Sequence, residues 1–146
     1  MKLSPNFSAG EFACRDGCGF GTRPGDVSEE LLRHLEAMRF LADRPLYVVS
    51  GARCLAHNAA VGGVPNSAHT RATAADLAVS GGRDRIELIL AHLLAIGTQT
   101  ALINPTFARE LYRAILELER GLGVAKGFVH VDVDQELEPR PGAWSY

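Results

Sequence analysis

The chain is predicted to fold as an α+β domain, a small and mostly antiparallel sheet backed by helices. Amphipathic helical stretches, short runs rich in β-branched residues, and an order that lacks regular βαβ alternation together point to this class. At 146 residues, 47% of them hydrophobic, the chain is long enough for one well-buried core and too short to expect two. A single domain over residues 1–146 is therefore expected.

The first 25 residues are rich in Gly, Cys and Phe and show no sustained period. They read as a loop-rich wrap with one turn of helix near Ser8 to Ala13, packed through Phe7, Phe12 and Phe20. Asp26-Val27-Ser28-Glu29 has the form of a capping box, and Leu31, Leu35, Met38 and Ala42 follow at helical spacing. Pro45 to Ser50 is a strand by its β-branched and aromatic content, ended by Gly51. A short helix around Leu55 to Val61 leads into the Gly62-Gly63-Val64-Pro65-Asn66 loop, and Ala74 to Val79 is a second strand. Ser80-Gly81-Gly82 breaks the chain. The next helix is predicted to carry Ile86, Ile89, Leu90, Leu93 and Ile96 on its buried face and to stop at Gly97. Asn104 is the N-cap of a further helix with Pro105 at its first position and Phe107, Leu111, Ala114 and Leu118 as its apolar stripe up to Gly121. Phe128 to Val133 is the third strand, and a polar, Pro-rich tail with Trp144 and Tyr146 closes the chain.

Fifteen basic and seventeen acidic residues give a net charge of −2. No basic surplus argues for nucleic acid or an anionic membrane as the main partner. No stretch approaches the roughly 20 apolar residues that span a bilayer, and the N-terminus lacks an apolar run of signal-peptide length. A soluble chain without a visible export address is expected. Cys14, Cys18 and Cys54 are too few, and odd in number, for a disulfide scaffold.

The chemistry centres on His69, Asp76 and His130. Asp76 lies in the second strand. In the third, period-2 alternation puts Val129, Val131 and Val133 on one face and Phe128, His130 and Asp132 on the other. Two strands of one sheet would then aim an imidazole and a carboxylate into one cleft. Two His and one carboxylate are a zinc ligand set that leaves a fourth tetrahedral position open, as catalysis requires.

In the order in which these residues occur, the chain resembles the zinc D-Ala-D-Ala carboxypeptidases, whose fold is shared with the hedgehog signalling domain. The resemblance rests on Leu3-Ser4-Pro5-Asn6-Phe7-Ser8 with Glu11-Phe12-Ala13-Cys14, and on Ser50-Gly51-Ala52-Arg53-Cys54 with His57-Asn58. It continues through Val61-Gly62-Gly63 and Asn66-Ser67-Ala68-His69 to Asp76, and closes with Gly127 to Asp132 and the Arg140-Pro141 to Trp144 tail. It implies that His69, Asp76 and His130 bind Zn²⁺ and that Arg53 faces the metal and holds a substrate carboxylate or carbonyl. Ser67 would hydrogen-bond substrate. The implied activity is hydrolysis of peptidoglycan stem or cross-link peptides by metal-activated water, as a D-Ala-D-Ala carboxypeptidase or endopeptidase. A monomer is expected, made in the cytoplasm and delivered to the cell wall as phage or prophage lysis enzymes are.

One departure stands out. Several members of the wider group place an acid three residues before the last ligand as general base, and here that position is Gly127. Asp132 is the nearest substitute, as catalytic base or as a group that orients His130. The alternative reading is a non-catalytic zinc-containing module of the same fold that binds cell-wall peptides or serves as a phage structural part.

Three further expectations concern residues outside this set. His34 and His92 are predicted to lie on the surface. Trp144 is expected to anchor the C-terminus rather than line the cleft. Cys14-x3-Cys18 with Cys54-x2-His57 offers four ligands of a closed metal site, but the spacing is loose, and a clip between two cysteines or simple burial of thiols is preferred.

Overall fold

The computed structural model describes residues 1–79, 84–118, 127–134 and 143–145. The elements run α1 (Ala9–Phe12), α2 (Glu29–Ala42), β1 (Leu46–Ser50), α3 (Leu55–Ala60), a 3-10 helix (Ala68–Arg71), β2 (Ala74–Val79), α4 (Asp84–Gln99), α5 (Pro105–Leu118), β3 (Val129–Asp132) and β4 (Ala143–Ser145). The four strands form one sheet in the order β1-β2-β3-β4, with every neighbouring pair antiparallel. This is the predicted α+β class. Among the described residues, no helix is long and apolar enough to cross a membrane.

Leu31, Leu35 and Met38 of α2 are fully buried, as their spacing predicted. They meet Ala75, Leu77 and Val79 of β2 and Val129 and Val131 of β3 in one hydrophobic core. Ser28 caps α2 by accepting from the Leu31 N–H at 3.3 Å. The expected box, with Asp26 as cap and Glu29 returning the bond, does not form, because the helix begins at Glu29 itself and its cap is Ser28, which has Leu31 and no acid at the third position. A reciprocal cap sits at α1 instead, where the Glu11 carboxylate accepts from the Ser8 N–H at 2.6 Å. In the wrap, Phe7 and Phe12 are buried while Phe20 is only half-buried.

Helix α4 turns inward a face shifted from the one predicted, with Ile89 and Leu90 half-buried against the core. Leu88, Ala91, His92 and Ala95 are buried, whereas Leu93 and Ile96 are exposed. Small residues at the contact let α4 lie close to α2, and helix packing distance, not side-chain bulk, selected the face. The helix also runs past Gly97, where an added Cβ would stand 2.9 Å from Ile103 Cδ1. The glycine serves a close approach and not a stop. In α5 the Asn104 cap forms as expected, with Oδ1 2.9 Å from the Thr106 N–H, but Ala108 and Tyr112 are the buried residues and Phe107 is exposed.

His34 and His92 are not on the surface. They are 3% and 2% exposed, with His34 Nε2 2.7 Å from His92 Nδ1 and Gln99 Nε2 2.7 Å from His34 Nδ1. A polar pair can be buried when it is hydrogen-bonded, and only the docking of α4 on α2 brings these two together. Strand β4 falls in what reads as a polar tail, since three residues carry no period. The expected break at Ser80-Gly81-Gly82, the Gly121 helix end, the Arg140-Pro141 segment and the Trp144 side chain lie outside what the structure describes.

Candidate metal centre

Strand β2 places Asp76 directly opposite His130 on β3 and Ser50 on β1. With Ala75, Leu77, Val129 and Val131 committed to the core, alternation turns Asp76 and His130 to the other face together. Beyond Ser50 the chain passes through Gly51, where a Cβ would come within 2.6 Å of Phe12 Cα. Only glycine lets the wrap press this closely, and the Ala52 N–H seals the contact by donating to the Phe12 carbonyl at 2.8 Å.

His69 rides on the 3-10 helix. Ser67 caps that turn, its Oγ accepting from the His69 N–H at 3.3 Å, and the Arg53 N–H donates to the His69 carbonyl at 2.9 Å. The turn carrying one candidate ligand is thus tied to the loop carrying the candidate cation. His69, Asp76 and His130 are all buried, and one ligand atom of each lies within 4.8 Å of the others.

Hydrogen bonds sort the ring nitrogens. His69 Nδ1 lies 2.6 Å from the Gly51 carbonyl, which can only accept, so Nδ1 carries a proton, and Nε2 faces Asp76 Oδ1 at 3.3 Å. His130 Nδ1 lies 3.0 Å from the same Asp76 oxygen, and its Nε2 lies 3.0 Å from Asp132 Oδ2. Burial by itself pushes the Asp76 carboxyl up, but bonds from His130 and His69 outweigh it and hold the group at about 2. For His130, burial pulls the imidazole down, and the carboxylates of Asp132 and Asp76 together carry it above its ordinary value.

Arg53 reaches the centre from the side. Its guanidinium lies 3.5 Å from Asp76 Oδ2, 3.3 Å from Ser50 Oγ and 3.4 Å from Asn58 Oδ1. Asn58 is buried and is anchored in turn by donating to the Val64 carbonyl at 2.9 Å. These supports were not legible as such in the sequence, where Ser50 and Asn58 appear only as parts of longer matched segments. Ser67 stands beneath His69 as the cap of its turn. Asp132 stands on Nε2 of His130, the ring nitrogen that does not face Asp76. Gly127 has φ 138°, a backbone conformation that side chains disfavour, so the position where an acid would sit is built for glycine.

The donor set fits zinc. Two imidazole nitrogens and a carboxylate oxygen of buried residues converge, and the outer nitrogen of each ring is held by a carbonyl or a carboxylate, the arrangement that aims the inner nitrogen at a metal.

The family profile described as Peptidase M15 matches residues 5–98, more than half of the chain, and so takes in Arg53, His69 and Asp76. The match stops short of His130, which the β2–β3 pairing supplies. No curated protein and no solved structure matched. With the resemblance to the zinc D-Ala-D-Ala carboxypeptidases borne out by that profile, the chain belongs to the Peptidase M15 family of zinc-dependent metallopeptidases.

Proposed function

We propose that this chain hydrolyses peptidoglycan stem or cross-link peptides, as a D-Ala-D-Ala carboxypeptidase or endopeptidase. The observation that carries the reading is the guanidinium of Arg53 set 3.5 Å from Asp76 beside an otherwise complete zinc ligand set. Zinc held by His69 Nε2, Asp76 and His130 Nδ1 would supply the Lewis acidity that makes water nucleophilic near neutral pH. Arg53 binds the free carboxylate of a cell-wall peptide or steadies the oxygen of the scissile carbonyl, and Ser50 and Asn58 fix its plane for that task. The Gly51 carbonyl and Asp132 hold the two imidazoles in the tautomers that ligation needs. Asp132 therefore acts as a positioning residue for His130. Ser67 acts first on the His69 turn, and its contact with substrate is secondary.

A second reading, the non-catalytic binding module, is favoured by the glycine-specific conformation at Gly127. Mass spectrometry of defined muropeptides incubated with zinc-loaded protein separates the two, with chelated protein and His130→Ala as controls. Zinc-dependent loss of one terminal Ala assigns a carboxypeptidase. Release of internal fragments assigns an endopeptidase. With zinc bound and the fold intact, absence of product from every muropeptide would overturn the hydrolase reading and favour the binding module.

A further inference from the structure

A second convergence of ligand atoms includes Cys54, the residue after Arg53. Sulfurs of Cys14, Cys18 and Cys54 and a carboxylate oxygen of Asp16 all lie within 4.8 Å of one another. Cys14 and Cys18 belong to the wrap that joins α1 to α2, while Cys54 follows Arg53 directly. His57, the fourth ligand offered by spacing, is not in this group. It contributes its backbone N–H, which donates to Cys54 Sγ at 3.3 Å.

A second backbone donor, the Cys54 N–H, points to Cys14 Sγ at 3.3 Å. Asp16 is held in place by accepting from the Cys18 N–H through Oδ1 at 3.0 Å, and its Oδ2 lies 2.9 Å from Cys54 Sγ. With zinc–sulfur bonds of about 2.3 Å, the sulfurs of a tetrahedral site stand roughly 3.8 Å apart, compatible with the observed cluster. A disulfide would use two of the sulfurs and leave the third, with Asp16, unexplained.

The fold also has use for a clip here. Between Ala13 and Ser28 there is neither helix nor strand, and few of these residues are buried apart from Cys14, Gly21 and Val27. Such a segment gains much of its order from ties to its neighbours.

We propose that Cys14, Asp16, Cys18 and Cys54 form a second, structural zinc site that clamps the N-terminal wrap to the Arg53 loop. The site is closed. Three zinc–sulfur bonds form as the three thiol protons pass to solvent, and the Asp16 carboxylate fills the fourth position, so none is left for substrate. Its role is to hold Arg53 in register with Asp76. It stands whether or not the histidine centre hydrolyses peptides.

Metal analysis of the full chain purified with zinc should give two equivalents per chain, falling to one in His69→Ala and to one in Cys18→Ser. Cobalt loaded into His69→Ala should show an intense sulfur-to-metal charge-transfer band, and a thiol reagent should reach the three cysteines only after a chelator is added. The proposal is overturned if His69→Ala holds no metal while all three thiols react freely, or if its intact mass is two hydrogens short. Should Cys18→Ser fail to fold, the His69→Ala measurements decide alone. Failure of the histidine centre would be separate, seen as Cys18→Ser holding no metal while the thiolate signature of His69→Ala persists.

Discussion

Asp132 Oδ2 lies 3.0 Å from His130 Nε2, while the other nitrogen of the same ring, Nδ1, meets Asp76 Oδ1 at 3.0 Å. One imidazole is thus gripped from both ends, and a metal arriving at Nδ1 finds the ring already turned and its second proton already accepted.

Replacing Asp132 by Asn keeps the size of the side chain but removes its charge. Zinc affinity of the histidine centre should fall about 10- to 100-fold, read by competition with a chromophoric chelator in the Cys18→Ser background. An unchanged affinity would show that Asp132 does not act through His130.

Arg53→Lys keeps the charge and loses the planar fork that Ser50 and Asn58 hold. Turnover of whichever muropeptide is cleaved should fall on the order of 10²-fold, with zinc content unchanged. Loss of zinc in this variant would mean that Arg53 supports the ligand set rather than the substrate.

Gly63 offers a test of the support behind Arg53. A Cβ there would come within 2.1 Å of Asn58 Oδ1, so Gly63→Ala must displace the buried amide. Overpacking of this kind costs about 1–3 kcal/mol, measurable by urea unfolding. In an Asn58→Ala background the same change should cost much less, because the clash is gone. Equal costs in both backgrounds would contradict the placement of Asn58.

The His34–His92 pair sets a pH dependence. Burial, joined by mutual repulsion, holds His34 down to about 3; burial holds His92 down to about 4, against a small pull upward from Asp132. Both lie below the ordinary 6.5 of a histidine, so between these values the unfolded chain binds protons that the native chain excludes. Stability is full above about pH 6.5 and falls as the pH drops toward 4, by at most about 1.4 kcal/mol per pH unit for each imidazole. Urea unfolding of chelated protein across this range should show a shallower slope for His34→Leu/His92→Leu than for the wild type. Parallel slopes would remove the pair as the cause.

How much of this was readable beforehand differs from element to element. Helix α2 was legible because its apolar residues recur at the helical period and all face one core. Helix α4 was misjudged because two apolar faces compete along it, and the choice of Ala91 and Ala95 over Ile89 and Leu93 depends on how near α2 lies. The exposed reading of His34 and His92 failed for the same reason, since the histidine each one bonds is 58 residues away. Asp16 escaped notice because nothing in its spacing marks it as the neighbour of Cys54.

What the sequence by itself determined is the set of residue types and the face each takes on its own element. Strand alternation in Phe128 to Val133 separates His130 from the valines of the core, and the order Arg53, His69, Asp76, His130 marks the family. Only the tertiary structure decided the rest: that Asp76 pairs with His130 in register, that the Gly51 carbonyl selects Nε2 of His69, and that three cysteines close around Asp16. The physical reason is one of range. Side-chain period is a property of a few consecutive bonds, whereas ligand geometry depends on how segments far apart in the chain pack, and the packing of the whole core sets those distances.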